Sequence, residues 1–239
     1  MIHVAFNIDE NYTDKVKTVI NSILANTKSK VHFHVIGVDH IPDIGQMVTC
    51  YPKPDLSNLK HTTQIAHITM SSTYRLYLPD ILQDLDKVIY LDCDLVVLDD
   101  IKKLWEYNVD LIAGVQDPMY IKQARKNNLN HLYINSGVLV INLDKMRKIG
   151  YKERINATQT GKYNLSLLDQ DIINIAFGEY IEHLPEEWNV FSKIYLQTTK
   201  EMLQARENPS IVHWCGFEKP WNIASLFLAE LWYNYNVEK

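Results

Sequence analysis

The chain has 239 residues, of which 46% are hydrophobic and 22% are charged, a size that fits one large domain or one domain with an appendage. The formal net charge of −5 predicts no basic surface and argues against a nucleic-acid-binding protein. The three cysteines, Cys50, Cys93 and Cys215, lack a metal-ligand spacing, so we expect free thiols in a reducing compartment. The sequence contains no apolar run of the roughly 18 residues that span a membrane and no signal-peptide pattern, which predicts a cytoplasmic protein.

The N-terminal region predicts a parallel β-α-β unit. Residues 2–6 are an apolar run, apolar residues recur at helical spacing from Val16 to Leu24, and residues 31–38 form a second apolar run. Ligands of parallel sheets collect at the carboxyl ends of the strands, which places the loop of residues 7–12 at a binding site. That loop lacks the glycines with which backbone amides cradle phosphates, so we expect a metal ion to do this work.

The following segment contains two histidines and a short helix. His32 and His34 alternate with apolar residues, and we expect them to decorate one face of the second strand, with a ligand role as the less favoured alternative. Residues 41–58 contain three prolines and predict a loop with a short strand at 47–51. A cap at residues 71–73 predicts a helix that carries Arg75 and ends near residue 79.

Residues 87–98, KVIYLDCDLVVL, are apolar apart from the first lysine and two aspartates. We predict one buried strand in which Asp92 and Asp94 face the same side, because residues i and i+2 of an extended segment point the same way. Burying two carboxylates costs several kcal/mol unless they are neutralised, and a hard divalent cation is a suitable partner. The alternative is that the strand ends at Asp92 and that the DCD segment is a solvated turn.

The second half of the chain predicts further strands and helices. Gly137 interrupts an apolar run at residues 133–143, where glycine marks a close backbone approach, and we expect room there for a flat or ring-shaped ligand. The other predicted elements are a helix at 101–107, a strand at 110–115, a basic solvated helix or acceptor-contacting lid at 119–130, a helix at 144–163, a helix opened by the acidic residues 169–171, a strand at 180–184, an irregular region from 188 and a terminal helix at 223–233.

Several of these segments together resemble glycosyltransferase family 8, the retaining sugar transferases with a GT-A fold. They occur in the family's order through nearly the whole chain. The matching features are Asp9 with Asn11 and Tyr12, Arg75, the DxD motif of Asp92 and Asp94 in YLDCDLVVL, NSGVLVINLD at 135–144, LLDQDIIN at 167–174 and HWCGFEKPW at 213–221.

The resemblance implies an α/β fold, with a single Rossmann-like GT-A domain at residues 1–222 whose central, mainly parallel twisted sheet is flanked by helices. A C-terminal helix at 223–239 would pack on the domain or on a partner or membrane surface. The implied activity is metal-dependent, retaining transfer of galactose or glucose from a UDP-sugar to a hydroxyl group of a glycan, glycoprotein or glycolipid. Mn²⁺ is expected over Mg²⁺ because an imidazole is among the implied ligands.

The resemblance also implies a role for each matched residue. Metal ligands would be Asp92, Asp94 and His213. The implied donor contacts are Asp9 and Asn11 with the uracil edge, Tyr12 stacked on the ring, Lys219 and Gly216 with the diphosphate, and Arg75, Asn135 and Asp169 with the sugar hydroxyls, beside Ser136 and Gly137. Gln170 would lie below the anomeric carbon, and Gln170, Asp169 and Lys219 would form the catalytic group.

Two other interpretations are weaker. A haloacid-dehalogenase-type phosphatase shares the DxDx[TV] pattern, but there the motif follows the first strand, whereas two predicted strands precede it here. An inactive UDP-sugar-binding scaffold subunit is the second alternative, although every expected donor and metal position is filled. The chain departs from many relatives at Asn7 and Ile8, where small residues are common, and it lacks a long basic tail after the KPW motif, which favours soluble acceptors over lipid-linked ones.

Overall fold

The computed structural model describes residues 1–41, 47–57, 59–60 and 69–236, and two β-sheets organise these ranges. Part of the predicted loop at 41–58 and the last residues of the predicted C-terminal segment lie outside the described residues. The strands are β1 (Ile2–Asn7), β2 (Val31–Ile36), β3 (Val48–Tyr51), β4 (Lys87–Leu91), β5 (Leu95–Val97), β6 (Ile112–Gln116), β7 (Ile134–Asn142), β8 (Ile181–His183), β9 (Val190–Phe191) and β10 (Ile211–His213). The α-helices are α1 (Thr13–Asn26), α2 (Leu78–Ile81), α3 (Lys102–Trp105), α4 (Tyr120–Asn127), α5 (Leu143–Lys148), α6 (Tyr151–Thr158), α7 (Asp169–Phe177), α8 (Lys200–Ala205) and α9 (Glu230–Tyr235).

The larger sheet has seven strands within the described ranges, in the order β3-β2-β1-β4-β7-β6-β8. Strands β3, β2, β1 and β4 run parallel, β7 is antiparallel to both of its neighbours, and β8 pairs parallel with β6. The predicted mainly parallel α/β architecture is therefore confirmed. Helix α1 covers one face and α7 the other, so the strands are buried on both sides. This double burial is why they appear in the sequence as nearly continuous apolar runs.

Residues 87–98 are not one strand, as we predicted, but two strands that belong to different sheets. β4 lies in the larger sheet, whereas β5 pairs antiparallel with β10 in a second sheet of order β5-β10-β9, which is the smaller one of the described part. The intervening DCD turn is tied to both. The Asp92 N–H donates to the Gly137 carbonyl at 2.8 Å, and the Trp214 N–H donates to the Asp94 carbonyl at 2.9 Å. The turn is thus the junction between the sheets, and its aspartates are only partly solvated.

Other predicted helices are shorter than expected. The segment around Arg75 is a 3-10 helix (Met70–Tyr77), and the proline that we expected to end it instead lies in the first turn of α2, where its fixed φ is favourable. The predicted helix at 144–163 is divided into α5 and α6 at Gly150, whose φ of +70° ends the first helix. The predicted terminal helix at 223–233 consists of turns until α9 begins. The region from 188 onward contains α8, β9 and β10, which its composition did not predict.

Helix α9 is attached to the domain by tryptophans. Trp232 is fully buried, with its ring edge-on to Trp214 at 6.1 Å and tilted against Trp221 at 4.8 Å. In the part of the chain that the structure describes, no helix combines the length and the apolar character needed to cross a bilayer. The predicted division of the chain at residues 222 and 223 remains a prediction.

Replacing Trp232 with alanine is expected to lower the free energy of unfolding by about 3 kcal/mol, the lower end of the range for buried aromatic residues. The lower end applies because the buried indole N–H of Trp232 has no hydrogen-bond partner among the described residues, which already weakens the native state. Urea denaturation measures the change. The exposed neighbour Asn234 supplies the control variant Asn234→Ala, and equal stabilities of the two variants would contradict this packing.

Candidate active site

A cavity of about 370 Å³ opens at one edge of the larger sheet. The carboxyl ends of the parallel strands β1, β4 and β6 meet there with the amino end of the antiparallel strand β7. Open α/β sheets bind ligands at this edge, and the volume is that of a small-molecule site.

Most of the residues that the sequence predicts for the site line this cavity. They are Tyr12, Arg75, Asp92, Asp94, Asn135, Ser136, Asp169, Gln170, His213, Gly216 and Lys219. The cavity wall does not include Asp9, Asn11 or Gly137. The Asp9 side chain instead accepts from the Asn11 N–H at 2.9 Å and caps the short 3-10 helix (Glu10–Tyr12) that presents Tyr12.

The two aspartates of the DCD turn converge on one histidine from the second sheet. The Nε2 atom of His213 lies 3.1 Å from Oδ1 of Asp94 and 3.8 Å from Oδ2 of Asp92. The other oxygen of Asp92 accepts from the Tyr90 hydroxyl and from Arg75, each at 2.8 Å. His213 is 1% exposed, whereas the Asp92 carboxylate is 26% exposed and faces the cavity.

A chain of amides sets the tautomer of His213. The Gly137 N–H donates to Oδ1 of Asn135 at 2.9 Å, so this oxygen is an acceptor, and it also receives Nδ2 of Asn189 at 3.0 Å. The oxygen of Asn189 must then face His213, whose Nδ1 lies 2.8 Å away and donates to it. In the neutral ring Nε2 therefore carries a lone pair toward the two carboxylates. Three acceptor atoms that face each other in a buried place fit a divalent cation, and Asn189 would orient the imidazole ligand.

Gly137 makes room for the imidazole ring and not for a ligand, contrary to our expectation. A Cβ atom at this position would lie 2.3 Å from Cε1 of His213 and 2.7 Å from Oδ2 of Asp92. The glycine in β7 thus allows the close approach of the two sheets at His213.

Lys219 lies beside this cluster and pairs with Asp94. Its ammonium donates to Oδ2 of Asp94 and, at 3.0 Å, to the Trp214 carbonyl. Burial alone would raise the pKa of Asp94, but the Lys219 ammonium beside it holds that pKa well below its usual range. Asp94 is consequently ionised, and Lys219 adds a positive charge to the wall of the cavity.

Arg75 connects two acidic residues in the wall of the cavity. Its Nε lies 3.1 Å from Oδ2 of Asp169, and its Nη2 donates to Asp92. It also donates to the Ser136 carbonyl and lies over the Tyr90 ring, 4.3 Å from the centroid. Burial would lower the pKa of Arg75, but Asp169 and Asp92 raise it, so the guanidinium stays charged. Most of its N–H donors are used within the protein, which makes Arg75 chiefly a support for the two carboxylates.

Gln170 is held by a network that includes a residue the sequence reasoning missed. Its Oε1 accepts from Nδ2 of Asn135 and from the Ser136 N–H, both at 3.1 Å, and its Nε2 donates to Asp117 at 3.1 Å. Asp117 directly follows β6, and a carboxylate at the carboxyl end of a strand was the available signal. Asn189, in a region predicted to be irregular, gave no such signal.

The side-chain amide of Asn7 is an unsatisfied polar group in the cavity wall. Both polar atoms of its buried side chain lack a hydrogen-bond partner among the described residues, although Asn7 lines the cavity together with Tyr12. An unpaired buried amide costs about 1–3 kcal/mol, which a ligand with matching donors and acceptors would recover. Tyr12 is itself held edge-on by Trp221 at 6.2 Å.

The chain is similar to known proteins over almost its whole length. Residues 3–224 match a family model described as glycosyl transferase family 8. General stress protein A of Bacillus subtilis is 30% identical, with 93% of this chain and 88% of that protein covered. A lipopolysaccharide 1,2-glucosyltransferase of Escherichia coli is 29% identical, with 92% of this chain and 73% of that protein covered. The structure of galactosyltransferase LgtC in complex with donor and acceptor sugar analogs matches with a TM-score of 0.83 at 23% identity, over 98% of this chain and 95% of that one, which confirms the GT-A fold alone.

Proposed function

Because the chain belongs to glycosyl transferase family 8, we propose that it transfers galactose or glucose from a UDP-sugar to a hydroxyl group of a glycan, glycoprotein or glycolipid, with retention of the anomeric configuration. A divalent metal, preferably Mn²⁺, would be held by Asp92, Asp94 and His213. The observation that carries this proposal is the convergence of two carboxylates and one oriented imidazole at the edge of a cavity whose volume is that of a small-molecule site.

The proposed chemistry depends on stabilising the negative charge that develops on the leaving UDP. When bound, a divalent cation neutralises part of this charge and orients the diphosphate. Lys219 supplies a second, permanent positive charge next to Asp94, and the Gly216 backbone lines the same wall. Groups that are fixed before the reaction stabilise the transition state without reorganisation, and this electrostatic contribution is usually the largest one.

Gln170 would position the reacting sugar and would not act as a nucleophile. Its amide oxygen already accepts two hydrogen bonds, from Asn135 and from the Ser136 backbone, which reduces its capacity to attack carbon. We therefore favour front-face attack, in which the acceptor hydroxyl approaches on the side of the leaving group and its proton passes to the departing phosphate. Asp169, whose oxygens accept from Ser72 at 2.6 Å and from Ser136 at 3.1 Å, is rigid enough to orient sugar hydroxyls.

The nucleotide would lie between the DCD turn and the first loop. Tyr12 offers a flat ring to the uracil, and Asp9 and Asn11 are the expected partners of the uracil edge. The unpaired amide of Asn7 adds a donor and an acceptor in the same wall, toward the ribose or the base. Family members that resemble this chain often carry a small residue in this loop, so its nucleoside contacts would differ from theirs.

Release of UDP from a panel of UDP-sugars tests the proposal directly. With Mn²⁺ present, we expect UDP release from UDP-galactose or UDP-glucose above that in EDTA, and further release when a glycan acceptor is added. Tight UDP binding without release from any donor and acceptor would instead indicate a catalytically inactive scaffold. A protein that neither binds UDP nor releases it would contradict both functions.

The variant Gln170→Ala is expected to bind UDP within a few-fold of the wild-type affinity but to turn over about ten- to a hundredfold more slowly, because the amide positions the reacting sugar and does not hold the diphosphate. Calorimetry with UDP and a UDP-release assay separate the two effects. Gln204→Ala, on the exposed face of α8, is the matched control. If Gln170→Ala abolished UDP binding, the proposed placement would be wrong.

A further inference from the structure

Three histidines cluster at the end of the larger sheet that lies away from the cavity. His3 is in β1, and His32 and His34 are in β2, with His3 directly paired to His32 in the parallel register. At about 3.3 Å per residue, His3 lies about 13 Å along β1 from Asn7 in the cavity wall. None of the three histidines lines the cavity, so the cluster is separate from the proposed active site.

The ring nitrogens of the three side chains converge. Nδ1 of His3 lies 3.0 Å from Nε2 of His34, and one nitrogen from each of the three rings lies within 4.8 Å of the others. Two nitrogens bound to one tetrahedral zinc ion at about 2.0–2.1 Å are separated by about 3.3 Å. The His3 and His34 nitrogens are thus within a few tenths of an ångström of a ligating separation. His32 is half-exposed, so its ring has room to complete the set.

Hydroxyl groups of two β3 residues form hydrogen bonds with the rings of His32 and His34. Nε2 of His32 lies 2.8 Å from the Thr49 hydroxyl, and Nδ1 of His34 lies 3.0 Å from the Tyr51 hydroxyl. Hydrogen bonds of this kind, made by the nitrogen that does not bind the metal, orient imidazole ligands in metalloproteins. The rings of His32 and His34 are stacked 4.5 Å apart at an angle of 6°, so the half-exposed His32 ring would turn out of this stack to direct a nitrogen at an ion held by His3 and His34.

Two of the three imidazoles, those of His3 and His34, have a lowered pKa. Burial and the two neighbouring imidazoles lower the pKa of His34 to about 3. Burial, the His32 ring and the N-terminal amine lower the pKa of His3 as well. Neutral imidazoles are the form that binds metals, and His3 and His34 are the two rings whose nitrogens already lie near a ligating separation.

We propose that His3, His32 and His34 form a second metal site, which binds a divalent transition metal of the imidazole-preferring class such as Zn²⁺ and joins β1 to β2. An all-imidazole ligand set disfavours Mg²⁺ and Ca²⁺, which require oxygen ligands. The fourth position of a tetrahedral ion would be open to solvent on the half-exposed side of the cluster. The site goes beyond the proposed sugar transfer and does not depend on it.

Titration of the full-length, EDTA-treated protein with Zn²⁺ and Co²⁺ tests the site. We compare the wild type with His32→Asn and with the matched control His40→Asn, which removes an exposed histidine of the same region. His32→Asn is expected to lose one Zn²⁺ equivalent in calorimetry, or to bind it more than about tenfold more weakly, and to lose the visible absorption of tetrahedral Co²⁺. His40→Asn should match the wild type.

Two further measurements separate this site from the cluster of Asp92, Asp94 and His213. His32→Asn should retain wild-type UDP affinity in Mn²⁺, and Zn²⁺ should raise the melting temperature of His32→Asn less than that of the wild type and of His40→Asn, because the variant keeps only the other cation site. His3→Asn provides a second ligand variant if His32→Asn is poorly folded by circular dichroism. Equal Zn²⁺ stoichiometry, affinity and Co²⁺ spectra in the wild type and the ligand variants would overturn the proposal and leave a stack of neutral imidazoles.

Discussion

Asp94→Asn is expected to weaken Mn²⁺-dependent binding of UDP by more than about a hundredfold, to the level measured in EDTA. Mutating residues behind a metal ligand already costs about ten- to a hundredfold in metal affinity, and Asp94 would be a ligand itself. The asparagine keeps the shape of the side chain but removes the charge that faces His213 at 3.1 Å. Calorimetry of UDP binding with Mn²⁺ and with EDTA measures the change.

The same substitution also affects Lys219. This buried ammonium would lose its carboxylate partner, and breaking a buried ion pair from one side costs about 3–5 kcal/mol. The fold of Asp94→Asn is therefore checked by near-ultraviolet circular dichroism, with Asp99→Asn as a control that removes a carboxylate outside the cavity, where Asp99 pairs with Lys103 and accepts from the Asp100 N–H and the Ser210 hydroxyl. Asp92→Asn is the alternative variant, since its carboxylate is 26% exposed. Folded variants with unchanged Mn²⁺-dependent affinity would exclude this cation site.

Gly137→Ala is expected to reduce Mn²⁺-dependent UDP binding by more than about tenfold, although the side chain at this position touches no ligand. The added Cβ atom would overlap Cε1 of His213 at 2.3 Å, and the ring is 1% exposed and held by Asn189, so it has little room to move. Overpacking of this kind costs about 1–3 kcal/mol of stability and displaces the imidazole from the two carboxylates. Calorimetry and urea denaturation measure the two effects.

Gly161→Ala is the control for this variant. Gly161 has a φ of +83° with nothing within 4 Å of the added Cβ atom, so the substitution costs about 1–2 kcal/mol through backbone strain alone. Similar losses of stability in the two variants, with UDP binding lost only in Gly137→Ala, would show that the effect comes from the site. Wild-type binding by Gly137→Ala would mean that His213 is not a ligand.

The parts of the fold that could be predicted are those whose residues are buried on both faces. β1, β2, β4 and β7 are mostly apolar, and their buried side chains explain why the predicted mainly parallel sheet was correct. The sequence allowed either one continuous strand or a strand that ends at Asp92, and it could not decide between them because residues on both sides of the DCD turn are equally apolar. Only the pairing of β5 with β10, more than a hundred residues later in the chain, decides that the strand ends at Leu91.

In the site, too, some residues stand out within their own segment, whereas the role of others depends on contacts with distant parts of the chain. Asp92 and Asp94 were conspicuous as charges among apolar residues, and the family resemblance supplied His213. Asp117 and Asn189 escaped notice because a single polar residue beside a strand is common in any sequence. Their importance comes from hydrogen bonds to Gln170 and His213, which depend on how the two sheets are placed.

Ligand binding at the DCD turn is expected to stabilise the contact between the two sheets. Asp92 is bonded to the larger sheet through Gly137, whereas Asp94 and His213 belong to the smaller one. A ligand held by all three residues would connect the larger sheet to the smaller one, and its binding free energy would oppose separation of the two sheets. At a hundred times the dissociation constant this adds about 2.7 kcal/mol to the native state. Amide hydrogen exchange in β5 and β10 should therefore slow as the donor nucleotide and metal are added, making the small sheet a reporter of occupancy.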